Sequence, residues 1–425
     1  MPDYDLLVRG AEPFGFVAVV DEKFVAVAAE GEGSAALEID GRGLEILPGV
    51  IDAHVHFNEP GRTDWEGLET GSQACAAGGT TTFFDMPLNA HPPTVNAEAF
   101  DEKRALAEAK SVVDFALWGG LVPGNLDDLE PLRDRGVIGF KAFMSNSGIE
   151  DFSNVDLKTL WAGMKKSAAL GLPVAVHAEI DHPELKHGST IRDYLASRPI
   201  SMELEAIGAA LDIAGETGCA LHIVHVSSAE GIELIAQAKA NGLDVTCETC
   251  PHYFTLTDAD VERIGALAKC APPIRNAAER AALLAKVRAG LVDTIGSDHS
   301  PSPMAMKQDA DFYKVWGGIA GCQHLLALAL NARLTPTECA AMLSGNVAKR
   351  FGIAGQKGRI AVGLDADFVL VNRSGVTRVE TEGLRYRHQV TPYAGMQLQG
   401  RVEKVVVRGM VGGGQGRLVK RDCPS

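Results

Sequence analysis

The chain has 425 residues, 46% hydrophobic and 22% charged, which suits a large barrel with an accessory domain better than one small domain. Its formal net charge of −15 argues against a nucleic-acid partner, because phosphate binding needs clustered Lys and Arg. No apolar run reaches membrane-spanning length, and the first residues carry acids early with no apolar leader, so a cytoplasmic protein without membrane contact is expected.

The first fifty residues read as short strands: DLLVRG, FVAVV, KFVAVAA and ALEIDGRGLEILPG. The C-terminal segments GRIAVGLDADFVLVNR and RVEKVVVRGMVGGG look alike. Neither end holds enough apolar sequence for its own core. The expectation is one small β-sandwich made from both, spanning residues 1–49 and 354–425.

Residues 50–353 have another rhythm. Eight β-rich runs follow in order: GVIDAHVHF, TTTFFDMP, VVDFALWGGL, GVIGFKAFM, PVAVHAE, ALHIVHVS, DVTCETCPHYF and DTIGSDHSP. Helical stretches such as LKTLWAGMKKSAALG and AEGIELIAQAKANG separate them. This alternation predicts an α/β fold, a (β/α)8 TIM barrel. A doubly wound open sheet is the alternative, but its Gly-rich phosphate turn after the first strand is missing. The apolar helix CQHLLALALNAR after the last strand suits either core or an interface.

In such a barrel the chemistry sits at the C-terminal strand ends. Those ends carry His54 and His56, Lys141, His177, His225 and Asp298. His54 and His56 lie two apart on a strand and so share a face, able to hold one metal. His225 is read as pointing inward and His222, three residues earlier, as pointing outward against the helices. His299 points away or supports its neighbour. Lys141 on an apolar strand reads as an ion-pair partner, unless it loses its proton, captures carbon dioxide and becomes a carbamate able to bridge two cations.

The segments LPGVIDAHVHFNEPGRTDWEG, AAGGTTTFFDMPLNAHPPT, GFKAFM, VHAE, HIVHVSS, ETCPHYF, KCAPPIR and GSDHSP together resemble the amidohydrolase superfamily, in the branch of hydantoinases, dihydroorotases and allantoinases. The resemblance implies two divalent ions, zinc first, with cobalt, manganese or iron as alternatives. His54, His56 and Asp298 would hold one ion and His177 and His225 the other. N6-carboxylated Lys141 would bridge them. A water activated between the ions would attack a ring amide, and Asp298 would move its proton to the leaving nitrogen.

Within the branch, Asn58 stands where dihydroorotases typically place an Arg, and DMPLN replaces DMPN, so a charged ring acid loses both usual anchors, and Asn58 would instead contact a neutral substrate with its amide. HFNEPGR, DMPLN and KCAPPIR resemble the allantoinase group, which implies a small neutral cyclic amide, allantoin, as substrate. Main-chain groups near Ala271 and Gly317 would hold the ring. Asn146 and Ser147 reach the ring or its ureido arm, or else simply cap a turn. A homo-oligomer, guessed as a tetramer, is expected. A hydantoinase or dihydropyrimidinase is the rival activity. A non-catalytic scaffold of the same fold is the rival class, although such scaffolds typically lack several of the six ligand positions filled here.

Other features read as ordinary structure. His91, His182, His187, His324 and His388 are expected to be exposed, and His252 only weakly to reach the pocket. Glu179 and Glu248 orient imidazoles or form salt bridges. Cys247 and Cys250 lack the second pair of a zinc ribbon and read as structural thiols. Gly78 and Gly79 make a helix-to-strand turn. The GGG of the tail reads as a flexible connection.

Overall fold

In a computed structural model describing residues 2–422, the two chain ends build two four-stranded sheets. Tyr4–Arg9, Phe16–Val20, Lys23–Ala28 and Ala35–Asp40 form the first; Glu45–Pro48 crosses to join Phe368–Arg378, Gln397–Val407 and Met410–Val411 in the second. Alternate residues face inward, as strand periodicity requires. Leu6, Val8, Val17 and Val19 meet Ile46, Phe368, Leu370 and Val406 in one cluster. Each such side chain contributes about 1.5–3 kcal/mol by leaving water. The core draws on both ends, as expected from segments too short to bury a face alone.

Between them stand eight parallel barrel strands: Val50–Val55, Thr80–Asp85, Asp114–Leu117, Phe140–Phe143, Val174–His177, Leu221–Ile223, Val245–Thr249 and Thr294–Ile295. The third resumes as Gly119–Gly120 after a break at Trp118 and pairs there with the fourth. The ring closes where Val55 bridges His299 and the His56 N–H donates to the His299 carbonyl at 2.8 Å. Four of the crossover helices start on side-chain caps. Asn96, Asp156, Ser228 and Asn276 each accept a first-turn N–H. Gly79 ends the helix Leu68–Gly78 in the left-handed region, φ 100°, and turns the chain into the second strand, as the sequence suggested.

The eighth strand is shorter than its sequence run. Its ladder stops at Ile295, and at Gly296 a Cβ would sit 2.5 Å from Glu248 Oε2. The helix Leu325–Asn331 is core: Leu325 through Leu330 are all buried, against the strand Gln397–Val407.

Two expectations need correction. His222 does not face the helices. It occupies the same register row as Lys141 and Ala175, pointing into the barrel, where its ring meets Phe351. Phe84 and Trp118 pack on Phe351 as well and fill the barrel floor. The GGG tail is no loose connection. Gly413 adopts φ 93°, the N–H of Gly414 bonds the Val112 carbonyl, and that of Gly416 bonds the Ser111 carbonyl. Beyond it the tail pairs with the third strand through Phe115 and brings Val419 into the floor cluster. Among the described residues, no helix is long and apolar enough to cross a membrane.

Candidate active site

The first strand carries one extra residue against the second between Asp52 and Val55. With that bulge, His54 and His56 turn their rings toward the mouth, centroids 5.4 Å apart. Asp298 lies past the end of the eighth strand with φ 46°, a conformation that L-residues rarely take. Its Oδ1 is 3.2 Å from His54 Nε2 and 3.3 Å from His56 Nε2. These three residues form one group able to hold a cation.

His177 ends the fifth strand and His225 follows the sixth. Strand parity places His222 and Val224 inside the barrel, so a regular continuation would send His225 out; its φ of 39° brings it in. His225 Nε2 stands 2.9 Å from His177 Nδ1, and its ring centroid is 5.4 Å from that of His54. Lys141 is fully buried on the fourth strand, its Nζ 5.0 Å from the Phe143 ring centroid and without a hydrogen-bond partner. Burial lowers its ammonium to about 8, against the pull of Asp298 and Glu248.

The glutamates fix the imidazole geometry. Glu248 Oε1 meets His54 Nδ1 at 2.7 Å, and Glu179 Oε2 meets His177 Nε2 at 3.0 Å. A proton held at each glutamate contact leaves a lone pair on the opposite nitrogen: His54 Nε2 toward Asp298, His177 Nδ1 toward His225. Burial pushes His54 and His177 down and Glu248 up, toward neutral forms. Burial also acts to raise Glu179 and Asp298. Arg198 reverses this for Glu179, bringing it to about 2, and His54 and His56 hold Asp298 well below the usual carboxylate range.

This donor set fits divalent cations. Lone pairs and an ionised carboxylate converge, while Lys141 Nζ, His56 Nδ1, His225 Nδ1 and Glu248 Oε2 are buried with no partner. His252, given little weight from the sequence, belongs here too. It is fully buried in the short helix Pro251–Thr255, with Cys250 and Asp298 near enough to share an ion, and both its ring nitrogens are unpaired. Burial lowers its imidazole to about 4. Cys247 and Cys250 are free thiols, and burial raises both, so they stay protonated and unreactive.

The cluster floors a cavity of about 510 Å³ whose walls include Asn146, Ser147, Ala271 and Gly317. Ser147 and Asn146 also make the turn anticipated as the plainer reading. The Ser147 hydroxyl donates to the Phe152 carbonyl at 2.6 Å, and Asn146 Oδ1 accepts the Gly148 N–H. The hydroxyls of Tyr194 and Tyr253 hold the Cys270 and Pro272 carbonyls, and the Ala271 main chain between them bonds to no described residue. Asn58 is different. It is buried at φ 64°, its amide 3.4 Å from the Pro301 carbonyl, and it is not part of the cavity wall. Its expected substrate contact is therefore not supported, because a left-handed turn aims it behind the wall.

Asn89 and Ser300 line the cavity instead, the Asn89 amide 3.4 Å from the Ser300 hydroxyl. DMPLN was visible in the sequence, but nothing local gave Ser300 or Arg198 a role. His299 points away from the mouth, between Phe57 and Tyr386, and its Nδ1 accepts the Gly321 N–H. His324, expected in solvent, is buried, whereas His91 and His187 are exposed. His182 and His388 lie between these extremes.

The model of the Amidohydrolase family matches residues 46–412. The chain belongs to the amidohydrolase family. Among family relatives, an allantoinase of Rubrobacter xylanophilus is 51% identical, covering 99% of this chain and 98% of that protein. An allantoinase of Solibacter usitatus is 49% identical over 92% of this chain and 88% of its own. Among solved amidohydrolase structures, the L-hydantoinase (dihydropyrimidinase) of Arthrobacter aurescens superposes with a TM-score of 0.93 at 35% identity, covering 98% of both chains.

Proposed function

We propose that this chain is a cyclic amide hydrolase that opens the ring of allantoin to allantoate. The observation that carries the reading is the convergence of His54, His56, Lys141, His177, His225 and Asp298 at one end of the barrel, most of them on the cavity floor and several with buried donor atoms unpartnered. Relatives named allantoinase, up to 51% identical over nearly the whole chain, direct it to this substrate.

His54, His56 and Asp298 would hold one divalent cation and His177 and His225 a second, with Lys141, carboxylated on Nζ, between them. Zinc suits imidazole and carboxylate ligands, and cobalt, manganese or iron(II) share that preference. When bound, the cations supply Lewis-acid activation of water and of the ring carbonyl. Buried, unpaired Lys141 Nζ, lowered to about 8, is an amine suited to take up carbon dioxide. Tetrameric assembly in the cytoplasm belongs to the same reading and rests on sequence resemblance.

The remaining work falls to side chains and backbone. Asp298, held as a carboxylate, accepts a proton from the attacking water. The new carbon–oxygen bond forms as the ring carbon–nitrogen bond breaks, and Asp298 returns that proton to the leaving nitrogen. Glu248 and Glu179 keep His54 and His177 in fixed tautomers. Main-chain groups of Ala271 and Gly317 face the ring amide, and Asn89, Asn146 and Ser300 offer polar contacts to a ureido arm.

Turnover of allantoin, hydantoin and dihydrouracil, with metal content measured on the same sample, tests the reading. Allantoin is expected to be preferred by protein that retains about two ions per chain. Preference for dihydrouracil overturns the substrate. Absence of bound metal after incubation with zinc, cobalt or manganese in bicarbonate favours a non-catalytic scaffold.

A further inference from the structure

The cavity wall opposite the histidines is a loop, residues 304–318, with no regular structure beyond the 3-10 turn Met304–Lys307. Loops without ladder bonds usually leave their carbonyls to water. Here five of them point at two buried ammonium groups. Lys269 Nζ is 2.6 Å from the Phe312 carbonyl, 3.1 Å from that of Tyr313 and 2.5 Å from that of Val315. Lys307 Nζ is 2.9 Å from the Trp316 carbonyl and 2.8 Å from that of Gly318. Neither lysine has a carboxylate within ion-pairing distance among the described residues; their relative exposures are 5% and 7%. Burial lowers Lys269 to about 8 and Lys307 to about 7, and in place of a carboxylate they have these carbonyls, with the Tyr194 and Phe312 rings 4.7 and 5.2 Å from Lys269 Nζ.

The consequence falls on Gly317. A trans peptide points its C=O and N–H in opposite directions. Lys307 holds the Trp316 carbonyl and thereby turns the Gly317 N–H the other way. The main-chain carbonyl of Lys269 accepts the Gly318 N–H at 2.7 Å and thereby turns the Gly317 C=O away from itself. Both peptide planes around Gly317 are fixed from behind. Gly317 lines the cavity, and its own N–H and C=O bond to no described residue.

We propose that Lys269 and Lys307 are positioning residues that preorganise the Gly317 main chain as a donor–acceptor pair for the amide edge of the substrate ring. The proposal rests on the cyclic-amide reading above. Its chemistry is specific: a ring amide offers one N–H and one C=O side by side, and a fixed peptide edge can meet both without a charged side chain. Lys307 is the cleaner probe. It does not line the cavity, so any effect on substrate must pass through the loop.

The test compares metal-loaded wild type with Lys307→Met, reading KM and kcat for allantoin, bound metal and Tm. The expected result is KM raised about tenfold or more, with kcat changed far less and metal content intact. A KM equal to wild type overturns the proposal, as does a loss confined to kcat. If Lys307→Met does not fold, Lys307→Gln, which keeps one amide donor, carries the same KM readout, with a smaller rise expected. Lys269→Met keeps the main-chain carbonyl that holds Gly318 and frees only the Phe312, Tyr313 and Val315 carbonyls, so a smaller rise in KM is expected. Failure of wild type to open allantoin at all would instead defeat the functional reading, so the two failures are separable.

Discussion

Two clusters of charge sit at opposite ends of the barrel, each built around a buried lysine. At the start of the third strand Asp114 converges with Asp365 and Asp367, a trio close enough to hold an ion. That end already contains its own cations. Lys357 Nζ lies 2.7 Å from Asp114, 3.0 Å from Asp365 and 2.6 Å from Asp367, and Arg408 pairs with Asp114. At the mouth, His54, His56, His177, His225 and Asp298 surround Lys141, whose Nζ meets no acceptor. The floor is a completed ion-pair network that ties the sandwich to the barrel. The mouth is a donor set with its charge left open. Partner completeness, and not the burial of a lysine, separates a structural cluster from a chemical one.

Stripping metal should break this contrast most severely. Chelation is expected to reduce activity to background and to lower Tm, and re-added zinc, cobalt or manganese to restore both. A chelated sample with full activity would make the mouth as self-sufficient as the floor. Next, Asp298→Asn should cut kcat by about 10²–10⁴-fold, the usual reach of a positioned acid–base group, with the folded state retained by circular dichroism. Lys141→Ala should lose at least about 10–100-fold, the scale seen when a metal site loses even a supporting group, and short carboxylic acids should restore part of it.

At the floor the direction reverses. Lys357→Met takes the shared partner from buried Asp114 and Asp367 and half-buried Asp365 and should destabilise by about 3–5 kcal/mol in denaturant titrations. Activity per folded molecule should hold.

The smallest effect concerns Glu179, a mouth residue that does have a cation, Arg198, at 2.6 Å. Its carboxyl is pushed up by burial but brought down by Arg198 and His177 to about 2. A lowered carboxylate contributes stability above its unfolded pKa of about 4.3 and loses it as pH falls toward the folded value. Arg198→Met leaves burial opposed only by His177 and Arg275 and raises the pKa. The Tm gap between wild type and variant should therefore be widest near neutral pH and narrow between about pH 4 and pH 2. A gap independent of pH would deny the pairing.

Much of this molecule was legible before any coordinates. Eight β-rich runs alternating with amphipathic segments specify a parallel barrel because each strand–helix unit is local. HxH, VHAE and GSDHSP name their donors because strand ends aim at the mouth whatever the loops do. The sandwich was inferable from two ends that each lack a core.

What the sequence by itself determined was therefore the periodic part: the strands, their order and the residue types at their ends. Tertiary structure alone decided where a side chain points once periodicity is broken. Left-handed turns at His225 and Asp298 aim these two into the cluster, while another at Asn58 aims it behind the wall, and parity counted back from an inward His225 would misplace His222. Lys357 and Lys141 are both buried lysines; only their three-dimensional neighbours distinguish an ion-pair hub from an open donor. The physical reason is that periodicity is written in neighbouring residues, whereas satisfaction of a buried charge depends on groups hundreds of positions away.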